Sequence, residues 1–319
     1  MFRLAHVTDP HFHGFDGLTL GALAGKRAIG LVNLAVNRRR HHKTELLAAL
    51  GEDLRAEAPD HLALTGDLSN LSLDGEWRAA LRWLEQQGAA SATATVIPGN
   101  HDAYVAEVVR AGTFEKLFGR FQTGDVDGVA NGAGGNGAGG GDGREHYPFV
   151  RLRGPLALIG VNSCVATGAL GAWGEVGSEQ LARLEALLGH PEVARRIRVV
   201  LIHHPPVMHK GGEARNLKDR DALAAVLARA GADIVLHGHD HRDERADLAG
   251  PGGRRIPIIG AGSASYAGGP ENRARYNIYE LDESGRITLV TRAHDEATDR
   301  FKEVRREDLR SPLPSAGEV

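Results

Sequence analysis

Five short stretches of this chain place histidine, aspartate or asparagine just after an apolar run. VTDPHFH carries Asp9 and His11, LTGDLSN carries Asp67, and IPGNHDAY carries Asn100, His101 and Asp102. LIHHPP carries His203 and His204, and LHGHDH carries His237, His239 and His241. Imidazole nitrogens and carboxylate or amide oxygens are metal donors, and imidazole also moves protons near neutral pH. Each stretch alone reads as an ordinary turn, a helix N-cap or a proline-enforced strand stop. As a set they would require coincidences at equivalent positions on separate strands, so they point to one shared metal centre. Each also holds Gly or Pro, which lets the backbone bend sharply there. HGHDH leaves open which of its histidines would ligate.

These residues need a scaffold that ends several strands at one edge. Apolar runs of strand length recur at 2–8, 61–65, 93–97, 156–162, 198–202, 233–237 and 256–260. Helical patterns lie between them at 44–57, 75–88, 178–189 and 219–230. The alternation predicts a mostly parallel sheet covered by helices, whose ligands collect beyond the carboxyl ends of the strands. RYNIYEL and ESGRITLVTRA predict an antiparallel pair around a turn at Glu283–Gly285. Two segments break the rhythm. Residues 124–146 enclose GVANGAGGNGAGGGDG, too poor in apolar groups to offset its ordering entropy, and are expected as a mobile loop. Residues 17–44 hold Lys26, Arg27, Arg38, Arg39, Arg40 and Lys43 around the apolar AIGLVNLAVN, with no acid. They are expected to cap the metal end, as a lipid-binding surface or as a buried helix. The expected organisation is one domain over 1–295 and a tail over 296–319 that forms a short helix and then disorder.

The bulk properties exclude other classes. A formal net charge of −3 gives no global pull toward nucleic acid, and the single Cys164 permits no internal disulfide. No run approaches the roughly 18 apolar residues of a spanning helix, and MFRLAHVTD reads as a strand rather than a leader. A cytoplasmic protein is expected, peripheral to the inner membrane if 17–44 meets lipid.

The order and spacing of the motifs resemble the calcineurin-like metallophosphoesterases. Their pattern D-x-H, G-D-x-x-D, G-N-H-[DE], a strand ending in His, and G-H-x-H reads here as Asp9-Pro-His11, Gly66 to Asn70, Gly99-Asn100-His101-Asp102, His203, and Gly238-His239-Asp240-His241. Asn70 departs from the usual aspartate, which puts nearby hydrogen bonding in question. The resemblance implies an α/β fold, a four-layer α/β/β/α sandwich of two mixed sheets flanked by helices, with a dimetal site at the strand C-terminal ends. It implies Asp9, His11 and His241 on one metal, Asn100, His203 and His239 on the other, and Asp67 bridging. His237 and His204 would then be neighbours that pack beside the site.

Elementary chemistry agrees with that assignment. Two divalent ions about 4 Å apart repel, and a shared carboxylate offsets the repulsion. Mixed imidazole, carboxylate and amide donors suit Mn, Fe or Zn. His101, next to Asn100, is placed to protonate or stabilise a leaving oxygen, with Asp102 expected to orient it. The expected activity is that of a phosphodiesterase or pyrophosphohydrolase using in-line attack of hydroxide on phosphorus, with a small phosphodiester or nucleotide-linked substrate. Alternatives are a UDP-2,3-diacylglucosamine hydrolase, a cyclic-nucleotide phosphodiesterase, and a metal-bound scaffold without turnover. His209, Lys210, Arg215 and Lys218, after His203, are candidate phosphate contacts.

Overall fold

In the computed structural model, the residues described are 1–14, 26–33, 42–126, 144–168, 171–208, 212–269 and 272–310. The centre of the glycine-rich segment, most of the basic segment and the last nine residues therefore lie outside the described residues.

Two six-stranded sheets form the frame. The first contains β1 (Phe2–Val7), β2 (His61–Thr65) and β3 (Ala94–Ile97), which run parallel. On its other side lie β10 (Arg275–Leu281), β11 (Ile287–Asp295) and β12 (Arg300–Arg310), all antiparallel neighbours, in the order β12-β11-β10-β1-β2-β3. The second sheet runs β4-β5-β6-β7-β9-β8. Its parallel centre is β5 (Leu156–Gly160), β6 (Ile197–Leu201), β7 (Ile234–His237) and β9 (Arg255–Gly260), edged by antiparallel β4 (Phe149–Arg153) and β8 (Glu244–Ala249).

The layering follows from the two-residue period of a strand. Leu4, Ala63, Val199, Leu201, Ile234, Leu236, Tyr279 and Leu289 join one buried cluster between the sheets. The alternate residues Ala5, Leu62, Leu64 and Val96 face outward onto α2 (Thr44–Glu57) and α3 (Asp74–Gln86) through Leu47, Leu50, Trp77 and Trp83. Val200, Val235 and Ile258 face the opposite way, onto α6 (Ser178–Leu188) and α8 (Arg220–Ala230) through Leu184, Leu188, Leu223 and Leu227. Central strands covered on both faces read as continuous apolar runs, which is why they were visible in the sequence. The expected four-layer α/β/β/α fold is the one observed. The smaller helices are α1 (Lys26–Asn33), α4 (Ala106–Arg110), α5 (Thr113–Phe118) and α7 (Pro191–Ala194).

One expectation needs correction. The tail does not begin with a helix at 296: β12 runs from Arg300 to Arg310 and extends the first sheet, so 300–310 belong to the domain. Its sequence RFKEVRREDLR buries Phe301 and holds the edge with Arg305–Asp243, Arg245–Glu307 and Arg306–Glu280 ion pairs. Charged residues are usual on an edge strand, and they hide its strand character from a hydrophobic pattern. Of the two readings open for 17–44, Lys26 and Arg27 on α1 take positions of a packed helix. Arg27 donates to the Leu71 and Ser72 carbonyls and pairs with Glu107, while Lys26 donates to Thr167 and lies 4.3 Å from the Tyr104 ring centroid. Arg38, Arg39 and Arg40 lie outside the described residues. No helix among the described residues is long and apolar enough to cross a membrane.

Candidate metal centre

The loops that leave β1, β2, β3, β6 and β7 meet at one edge and are stitched to each other through their backbones. The Asp9, His11 and Phe12 amides donate to the Gly66, Asp67 and Leu68 carbonyls, and the Gly238 amide donates to the His203 carbonyl. Close approach at this seam requires glycine twice. A side chain at Gly99 would overlap the Asp67 amide and carboxylate, and one at Gly238 would overlap Thr8 Oγ1 and Asp9 Oδ2. Asp9, His11, Asp67, His239 and His241 all adopt positive φ, between 46° and 74°. That conformation costs a non-glycine residue about 1 kcal/mol or more, and its concentration here marks a site that the surrounding fold holds in place.

The side chains converge in two groups around Asp67. Donor atoms of Asp9, His11, Asp67 and His241 all lie within 4.8 Å of one another. His11 Nε2 stands 3.1 Å from His241 Nε2, and His241 Nε2 stands 3.2 Å from Asp9 Oδ1. In the second group, Asn100 Oδ1 lies 3.1 Å from His203 Nε2 and 2.9 Å from His239 Nδ1. Asp67 divides its carboxylate between the groups. Oδ2 is 3.7 Å from His11 Nε2 and Oδ1 is 3.4 Å from His203 Nε2, while Oδ1 also accepts the His101 amide.

The far nitrogens explain why these rings fit cations. His11 Nδ1 donates to the Ser69 carbonyl, His203 Nδ1 to the Thr65 carbonyl, and His239 Nε2 to the Arg215 carbonyl. A neutral ring that donates at one nitrogen offers a lone pair at the other, the arrangement typical of metal-ligating histidine. In the second group two such lone pairs face an amide oxygen, so three acceptors meet in a buried space. Asp9 Oδ1 is likewise buried, facing the His241 ring nitrogen at 3.2 Å. Acceptors crowded out of water are costly unless a cation joins them. The residues therefore fit a pair of divalent ions. Burial holds His239 well below the ordinary histidine range, in its neutral, ligating form. Burial opposes ionisation of Asp9, yet the neighbouring His241 and the Thr8 hydroxyl hold its carboxyl below the usual range.

Asp9, His11, Asp67, Asn100, His203, His239 and His241 are brought together at this edge. His204 is turned aside, with Nδ1 on Ser163 Oγ and Nε2 on the Ala172 carbonyl. His237 lies buried at the end of β7 with Nδ1 against the Gly238 carbonyl. Both remain neighbours, and burial pushes both toward the neutral form. His101 is oriented differently from expectation. Its Nδ1 donates to the Asn70 carbonyl at 2.7 Å, its ring stacks on Tyr104, and Nε2 lies 4.0 Å from Asp67 Oδ2. Asp102, expected to orient that ring, instead accepts from the Gly99, Leu68 and Ser69 amides and from Ser69 Oγ. It clasps two loops, and Asn70 takes the orienting part. Of the candidate phosphate contacts, His209 and Lys210 lie outside the described residues. Arg215 supplies its carbonyl to His239, and the Lys218 ammonium rests 3.3 Å from the Trp173 ring centroid.

Asn70 now has a physical account. Its Nδ2 donates to the His11 and Phe12 carbonyls, which an ionised aspartate could not do. Its side chain also bonds Glu76, whose carboxyl burial pushes up to about 7. A carboxylate at 70 would set a second acid, with no donor to offer, against that buried carboxyl. Sequence reasoning missed His42, which the fold inserts beside His11 and His241.

Comparison with known proteins adds the family context. The sequence profile of the family described as calcineurin-like phosphoesterase matches residues 2–243. No curated protein matches the chain by sequence. A dimetal phosphatase from Danio rerio is similar in structure, with a TM-score of 0.61 at 14% identity, over 95% of this chain and 98% of that one. A purple acid phosphatase from yellow lupin (Lupinus luteus) seeds is similar with a TM-score of 0.55 at 12% identity, over 95% of this chain and 52% of that one. At these identities the likeness is one of fold.

One prediction concerns Glu76. Burial raises its carboxyl from the ordinary glutamate value of about 4.5 to about 7 in the fold. The neutral form is favoured in the fold, so the stability it gives is complete below about 4.5 and is lost as pH rises through about 7. Urea unfolding at pH 5 and pH 7.5 should show a smaller pH-dependent loss in Glu76→Gln than in the unmodified chain, by about 2 kcal/mol. Equal losses in the two proteins would show that Glu76 is already ionised.

Proposed function

This chain belongs to the calcineurin-like phosphoesterase family, and from that premise we propose that it is a two-metal phosphodiesterase or pyrophosphohydrolase acting on a small anionic ester. The observation that carries the reading is the division of the Asp67 carboxylate between two groups of donors, with His101 Nε2 4.0 Å away on the same rim. Asp9, His11 and His241 would hold one ion, Asn100, His203 and His239 the other, and Asp67 both. When bound, such a pair neutralises phosphate oxygens and lowers the pKa of water. The mixed donor set suits Mn, Fe or Zn.

The chain's own part in the chemistry is orientation and proton transfer. The carbonyls of Ser69, Thr65 and Arg215 fix three ligand rings in the tautomer that presents a lone pair inward. The Asn70 carbonyl fixes His101 with Nδ1 as donor. Its Nε2 then faces the centre and, when protonated, can pass its proton to the leaving oxygen as the P–O bond breaks.

The surroundings favour a polar substrate. A cleft of about 690 Å³ reaches His42 beside the first group, and its lining mixes His13, Lys43, Arg273 and His294 with Glu45, Glu296 and Asp299, with Leu46 and Ala267 as its apolar part. Arg273 pairs with Glu296 and His294 with Asp299, so the lining is polar and of mixed charge, without the extended apolar wall that acyl chains need. The lipid-linked alternative rests on residues 17–44, most of which lie outside the described residues.

Two measurements test this reading. Metal-stripped protein reloaded with Mn should hydrolyse bis(p-nitrophenyl) phosphate, and cyclic AMP or a nucleotide pyrophosphate in preference to UDP-2,3-diacylglucosamine in detergent. Preference for the lipid would overturn the small-ester reading, and no turnover with two ions bound would favour a scaffold. His101→Ala should keep its metals and lose about 10²–10⁴-fold in kcat. The loss should be smaller for a nitrophenolate leaving group, which needs little protonation; wild-type turnover on an alkoxide-leaving ester would remove His101 from the reaction.

A further inference from the structure

Beside the first donor group, and sharing its His11 and His241, stands an imidazole that none of the strand-end motifs supplies. His42 stands just before α2, and its backbone bridges Tyr266 in the loop after β9. The Lys43 amide donates to the Ser265 carbonyl and fixes the same junction. The ring is buried. Its centroid lies 4.6 Å from that of His11 and 5.2 Å from that of His241, edge-on to both. Ring nitrogens of His11, His42 and His241 all lie within 4.8 Å of one another.

The ring's orientation is built rather than incidental. His42 Nδ1 lies 2.8 Å from Ser265 Oγ and 3.5 Å from Ser263 Oγ. Ser263 Oγ in turn donates to the Asp9 carbonyl, so one serine pair ties His42 to the loop that carries Asp9 and His11. A hydrogen bond at one imidazole nitrogen that fixes the ring and leaves the other as donor is the usual support of a metal-ligating histidine. Three imidazoles crowded at this distance, His11 and His42 buried and His241 partly so, favour a cation among them.

We propose that His42 is an additional protein donor to the metal held by Asp9, His11 and His241, contributed through Nε2. The inference rests on the two-metal reading above. With the bridging Asp67, the first position then has Asp9, His11, His42 and His241, and the second has Asn100, His203 and His239. The first position binds more tightly and has less room for substrate oxygens, so the substrate phosphate enters mainly from the side of the second.

The test is a titration of metal-free wild type, His42→Ala, His42→Phe and Ser265→Ala with Co(II), followed by calorimetry and by visible absorption. Phenylalanine keeps the ring volume and removes the donor, so a folded protein is available if alanine destabilises the loop; circular dichroism checks each. Wild type should bind two ions with unequal affinity. Both His42 variants should lose about 100-fold or more at the tighter step, beyond the 10–100-fold expected for losing a supporting partner, with an altered cobalt band and an unchanged weaker step. Ser265→Ala should show a smaller loss at the same step. Wild-type affinities and cobalt spectrum in the folded His42 variants would overturn the assignment of His42. Failure of the wild type to bind two ions would instead overturn the two-metal reading itself.

Discussion

The structure depends on one carboxylate that two sets of donors must share. Asp67 is almost fully buried, sits at positive φ and receives the His101 amide, while its oxygens look toward His11 on one side and His203 on the other. Around it the fold collects lone pairs with few protons to separate them, an arrangement whose cost only cations remove. The rest of the local architecture is what such a concentration requires. Parallel strands from two sheets end at one edge, glycines let the loops touch, and strained residues aim their side chains inward.

The two sheets divide the work. Loops after β1, β2 and β3 supply Asp9, His11, Asp67 and Asn100, and loops after β6 and β7 supply His203, His239 and His241. Neither sheet alone carries a complete donor set for either proposed ion. The apolar layer between the sheets, including Leu4, Ala63, Leu201 and Leu236, therefore sets the distance across the site as well as stabilising the domain. Packed interiors resist small displacements, so this layer keeps the donors in register.

The sequence showed the parts of the site whose chemistry demands a fixed residue type at a strand end. Asp9, Asp67 and His239 could be read because strand, turn residue and donor follow one another along the chain. His42, Ser263 and Ser265 could not, since their meeting is made by the packing of distant loops. Asp102 was misassigned for the same reason: adjacency to His101 along the chain suggested ring contact, whereas the fold turns the carboxylate onto the backbone of Gly99, Leu68 and Ser69. The buried strands were legible from their apolar runs. β12 was not, because its stability comes from pairing with β11 and from ion pairs rather than from a hydrophobic period.

The central claim is that Asp67 lies between two divalent ions. An anomalous-scattering map of crystals grown with Mn tests it most directly. The account predicts two peaks about 3.5–4 Å apart with the Asp67 carboxylate between them, one bordered by Asp9, His11 and His241 and the other by Asn100, His203 and His239. A single peak, or two peaks with Asp67 outside both, would contradict it.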